Sequence, residues 1–149
     1  MTSAPSVPSL TSQPSKTAPD VKSPWKTVQP SDPDREYIGV VTELVPKSMR
    51  STVRLFRGAR RSSVQIARSK GIVGFATLAR PVRKQYQTIS LWETDADVDA
   101  FARSGDHHQL VRELAPELAT VKATRWRVSS RDGRPGWKQA QELLRRCRA

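Results

Sequence analysis

The chain lacks most of the features by which a sequence announces its chemistry. It has one cysteine, Cys147, so no intrachain disulfide can form and nothing points to an oxidising compartment. Its only two histidines, His107 and His108, are adjacent, with no cysteine or well-spaced carboxylate beside them, so metal-ligand spacing is missing. No stretch approaches the roughly 18 consecutive apolar residues of a membrane span. The N-terminal segment lacks both an apolar signal-peptide core and the arginines of an organellar address, so a soluble, cytoplasmic protein is expected. Neither G-x-G-x-x-G nor G-x-x-x-x-G-K occurs, which leaves NAD, FAD and ATP without sequence support. Acidic residues are few: 14 Asp and Glu face 26 Lys and Arg, a formal charge of +12.

What is present divides the chain in two. Seven of the eleven prolines fall between Pro5 and Pro33, among Ser, Thr, Gln and Lys. Leu10, Val21, Trp25 and Val28 are too scattered there to bury one another, so residues 1–35 read as a disordered tail. Residues 36–149 read as one domain, and the excess charge sits on it. Lys47 to Gly71 carries six arginines and two lysines with no acidic residue. Such a surface attracts anions of any kind, and its plainest reading is a solvated helix face.

Periodicity gives the domain's elements. Tyr37 to Val45 is β-branched and stops at Pro46, which reads as a strand. Ser48 can cap a helix running to about Ser69, with Met49, Val53, Phe56, Ala59, Ser63, Ile66 and Ala67 near one face. Gly71 ends it, and Ile72 to Ala79 forms a second strand. Pro81 to Lys84 turns into a third, Gln85 to Glu93. There Tyr86, Thr88, Ser90 and Trp92 alternate with Gln87, Ile89 and Leu91, as expected when both faces have a defined neighbour. Asp95 to about Ser104 reads as a helix broken by Gly105 and resumed from His107 to Leu114. Thr120 to Val128 is a fourth strand and Gly136 to Arg146 a last helix.

The order β-α-β-β-α-β, with right-handed crossovers, predicts an α+β ferredoxin-like fold: a four-stranded antiparallel sheet, two helices on one face, and a C-terminal helix. The sheet's second face is then left over, and a two-fold partner, giving a homodimer, is the simplest cover.

The runs Thr88-Ile-Ser-Leu-Trp-Glu-Thr-Asp and Phe101-Ala-Arg-Ser-Gly-Asp-His, with Arg125-Trp-Arg-Val and Pro135-Gly-Trp, resemble the dimeric α+β barrel superfamily. The likeness is to its antibiotic-biosynthesis-monooxygenase and spheroidene-monooxygenase-like branch. That resemblance implies a homodimer and a pocket between sheet and helices for a flat aromatic or polyketide-type molecule. It also implies monooxygenase or related cyclase chemistry needing no cofactor. On it, His107 is the candidate base, with Arg125 or Tyr86 holding an oxyanion. Trp92, Phe75 and Trp126 form apolar walls, and His108 stands beside the mouth. Trp126 and Trp137 can equally anchor the C-terminal segment. Haem-degrading members place their axial histidine where Val111 stands, and their first-strand asparagine is replaced by Thr42 or Glu43, which argues against haem held in their manner. His107 or His108 would have to serve as an unorthodox ligand.

Two other readings stand beside this one. The same fold serves as a non-enzymatic small-molecule or protein-interaction module. The same element order also builds an RNA-recognition module, and Lys70-Gly-Ile-Val-Gly-Phe75 echoes its signature, though on the second strand and with Ile72 where a stacking aromatic is needed.

Overall fold

A computed structural model describes residues 20–147. Its strands are β1 (Val21–Lys22), β2 (Lys26–Thr27), β3 (Glu36–Pro46), β4 (Ile72–Arg80), β5 (Gln85–Trp92) and β6 (Leu118–Ser129). The α-helices are α1 (Met49–Ala67), α2 (Asp95–Arg103), α3 (Gly105–Leu114) and α4 (Trp137–Arg146). All pairings are antiparallel, in the order β1-β4-β5-β3-β6, with β2 also on β4. The four long strands are those expected, and β4-β5-β3-β6 is the ferredoxin-like order that two β-α-β crossovers produce.

Capping sets the helices. Ser48 Oγ accepts from the Ser51 N–H at 3.1 Å and opens α1. Ser104 both ends α2 and starts α3, its Oγ accepting from the His107 N–H, so the helix expected to break at Gly105 is two capped helices instead. Gly71, at φ 84°, makes the left-handed turn out of α1. The buried line of α1 is Thr52, Leu55, Ala59 and Ile66, about one position round from that expected. Met49 and Val53 are 62% and 54% exposed. Leu55, Ala59 and Ile66 fix the inward face because they offer more continuous apolar surface to the sheet. Gly58 lets α3 approach: a Cβ there would lie 2.8 Å from Leu114 Cδ1.

The two sheet faces have different covers. On one, Ile72, Phe75 and Trp92 pack with Ile66 of α1 and Val98 of α2. On the other, Val41, Ala76 and Ile89 pack under Ala140 and Leu144 of α4, with Trp25, Trp126 and Trp137 at the margins. Tyr37, Val73, Leu91 and Val128 continue that second core. Polar groups join in: Gln141 of α4 donates to Gln87 Oε1, and Gln87 donates to the buried carboxylate of Glu43 at 2.7 Å.

This arrangement corrects two expectations. Much of the second face is covered by the chain's own α4 and Trp25, so an open face is no longer by itself a reason for a two-fold partner. Residues 20–35, expected to be disordered, include a segment seated along β4. Thr77 N donates to Ser23 Oγ, Val28 N donates to the Val73 carbonyl, and Gln29 Nε2 donates to the Ile72 carbonyl. Trp25 closes over Gly74, where a Cβ would lie 2.5 Å from its Nε1. The physical reason is an edge strand that needs partners and a glycine that leaves room for an indole. Residues 1–19 of the expected tail lie outside the described residues.

Candidate functional site

The cluster on the helix-covered face begins with Trp92, 2% exposed at the end of β5. Its Nε1 donates to Ser90 Oγ at 2.9 Å, two residues back on the same face, which satisfies the indole without a partner from elsewhere. Phe101, from the last turn of α2, packs on Trp92 with ring centroids 5.3 Å apart. His107, in the first turn of α3, packs on Phe101 at 4.2 Å. The short cap at Ser104 is what brings a residue of α3 back against the end of α2.

His107 is half-buried, and its Nδ1 is enclosed with no hydrogen-bond partner among the described residues. Burial lowers its pKa from the usual imidazole value, and the neighbouring His108 lowers it further. The ring is therefore neutral at pH 7, with a nitrogen unused by the protein. His108 itself is exposed.

Beside this stack opens a groove of about 330 Å³ between the C-terminal end of α1 and the α2–α3 junction. Gln65, Arg68, Lys70, Asp97, Phe101 and Asp106 line it, Phe101 being the residue shared with the stack. The volume is at the lower end of small-molecule sites, roughly 300–1,000 Å³. None of the polar lining residues was singled out from sequence. Arg68 and Lys70 looked like two more charges in a basic run, and only the fold brings them opposite Asp97 and Asp106.

The other predicted residues divide. Phe75 packs in the same cluster as Trp92. Tyr86 lies on the same face but six residues away along β5, roughly 20 Å. It packs on Phe56 of α1 at 6.2 Å. Burial pushes its phenol above the usual value, while hydrogen bonding with Thr77, Thr88 and Ser63 opposes the rise. Thr42, Thr88 and Thr77 stand in register across β3, β5 and β4, and all three remain partly accessible under the helices. Arg125 is engaged: its Nη2 donates to Asp99 at 2.7 Å and its Nη1 to Asp95 at 3.2 Å, tying β6 to α2. The hydrogen bond to Asp99 is the main reason its pKa rises. Trp126 lies on the opposite face, against Gly39, where a Cβ would come within 2.9 Å of its ring. It cannot wall a cavity beside Trp92, and with Trp137 it anchors α4 instead.

Among the described residues no group of three or more His, Cys, Asp or Glu is placed to hold a metal ion, and no helix is long and apolar enough to cross a membrane. Val111, where the resemblance would put an axial histidine, is 48% exposed and offers iron no donor, so the residues do not fit haem held in that way.

No protein-family model matches the chain, and no curated protein does. Solved structures do. A candidate monooxygenase from Fusobacterium nucleatum superposes with a TM-score of 0.60 at 8% identity over 68% of this chain. This chain spans 46% of that longer one. A candidate antibiotic biosynthesis monooxygenase from Nitrosomonas europaea gives 0.54 at 16% identity, over 64% of this chain and 92% of that one. A dimeric ferredoxin-like protein of unknown function from Thermobifida fusca gives 0.56 at 12%, over 67% and 98%. At such identities the likeness is one of fold, and it agrees with the strand order found above: the chain has a ferredoxin-like fold.

Proposed function

We propose that the protein is a monooxygenase-like enzyme that oxidises an electron-rich aromatic or polyketide-type molecule of bacterial secondary metabolism without a bound cofactor. The observation that carries the reading is His107: a neutral, half-buried imidazole packed at 4.2 Å on Phe101, the ring that lines the groove. The ring is only half-buried, so its other nitrogen, Nε2, is the one a substrate hydroxyl would meet.

In this reading His107 takes the proton of a phenol, and the resulting anion supplies electrons to O2. One oxygen atom enters the ring as a carbonyl, replacing a hydrogen, and the other leaves as water, so the substrate is its own reductant. Trp92 and Phe101 keep the site apolar, which favours contact between O2 and the anion. Arg125, held by two carboxylates, orients α2 rather than the substrate.

Two copies are proposed to pair through the outer edge of β6, which has no strand neighbour among the described residues, rather than through the covered face. An Ala123→Pro variant, at an exposed residue whose N–H, by the strand's alternation, turns away from β3, should then lose the pairing in light scattering.

The enzymatic reading is tested by incubating metal-stripped protein with naphthols and hydroquinones in air, following O2 uptake and product mass. Catalysed uptake giving products with one added oxygen supports it. Saturable binding with no uptake across the panel would favour a non-catalytic binding module of the same fold.

A further inference from the structure

Charges of both signs line the groove without neutralising one another. Arg68 and Lys70 stand exposed at the end of α1, with no carboxylate within 4.0 Å among the described residues. Asp97 Oδ2 accepts from the Thr94 hydroxyl at 2.9 Å while its own N–H donates back to Thr94 Oγ1, and neither Asp97 nor Asp106 has a cation partner among the described residues. Elsewhere on α1 two arginines meet carboxylates: Arg54 with Glu117 at 2.6 Å and Arg61 with Glu113 at 2.7 Å. The groove therefore holds two unmatched cations and two unmatched anions. Phe101 supplies an aromatic wall.

We infer that the groove binds a zwitterionic small molecule of the α-amino-acid type with an aromatic side chain. Its carboxylate sits between Arg68 and Lys70, its ammonium faces Asp97 and Asp106, and its ring lies on Phe101. A ligand carrying one charge would satisfy only half of this lining and leave the other half repelling it or unpaired. The wall, the acceptors and the volume of about 330 Å³ suit a molecule of that size. This names the ligand class of the groove on which the functional reading rests, and its test reads binding rather than turnover, so the two can fail separately.

The full-length protein is titrated, by calorimetry or by chemical shift, with L-tyrosine and L-phenylalanine. N-acetyl-L-tyrosine, which lacks the ammonium charge, and L-tyrosinamide, which lacks the carboxylate, serve as controls. A zwitterion should bind saturably, and each blocked form about tenfold more weakly, the worth of one charge-assisted hydrogen bond. Arg68→Ala should remove the discrimination against the amide, and Asp106→Asn that against the N-acetyl form. Both positions are exposed, so the variants should fold. Equal affinity for all forms, no saturable binding of either amino acid, or discrimination unchanged in both variants would overturn the inference. Binding without O2 uptake would leave it standing and remove only the enzymatic reading.

Discussion

Adding one methyl group at Gly74 should unseat the N-terminal arm. A Cβ there would lie 2.5 Å from Trp25 Nε1 and 2.6 Å from two further indole ring atoms. These belong to a rigid ring, so relief requires moving the whole side chain. Overpacking of this kind costs about 1–3 kcal/mol. In a strand where nothing opposes it, alanine is favoured over glycine by about 0.5–1 kcal/mol. Gly74→Ala should therefore destabilise the native chain but be neutral or stabilising in a Trp25→Ala background. The coupling between the two positions should be about 2 kcal/mol or more. Urea unfolding of the four proteins, followed by far-UV circular dichroism, measures it directly. With a slope of about 1–3 kcal/mol per molar urea, the single Gly74→Ala change should lower the midpoint by about 1 M. Additive effects, or a Gly74→Ala protein as stable as the parent, would refute the placement of Trp25 over the sheet, and with it the account of how the second face is covered.

Other outcomes follow from the same contacts. Leu55→Ala, at a side chain with 0% exposure, should cost about 2–5 kcal/mol in urea unfolding, whereas Val53→Ala, two residues earlier on the exposed side of the helix, should change little. Arg125→Ala should lose two partly exposed ion pairs, about 0.5–1.5 kcal/mol together, and leave turnover unchanged per folded molecule; a selective loss of kcat would restore its expected oxyanion role. His107 has a folded-state pKa below its unfolded one, so the unfolded chain binds more protons over that interval and stability falls as pH drops below about 6.5. His107→Gln should flatten this acid-side loss in thermal melts taken across pH 5–7.5, and an unchanged slope would contradict the neutral, buried imidazole.

Much of the fold was legible because local signals agreed with the global arrangement. The strict alternation of β5, the serine cap of α1, and the β-α-β order each pointed to the same sheet. What escaped were pairings between distant segments. Trp25 looked isolated because its partner, Gly74, contributes an absence of side chain, which no periodicity reports. The cover supplied by α4 was read as an appendage, since Trp137, Ala140 and Leu144 show an apolar helix face without saying what it meets. Trp92 and His107 were named as candidates from sequence, whereas Phe101, which packs between them, was counted as a helix residue. Trp126 was misplaced for a simple reason: residues on β6 alternate between faces, and the choice of face was settled only by register with Gly39.

The central claim is that His107 acts on the substrate as a base rather than packing as one more ring. The most direct measurement compares kcat and KM for O2 uptake between the parent and His107→Ala, both metal-stripped, with the best phenol found for the parent. The account predicts a fall in kcat of about 10²-fold or more, the usual worth of a general base, with KM little changed and the fold intact by circular dichroism. A His107→Ala protein that turns over as fast as the parent would contradict it.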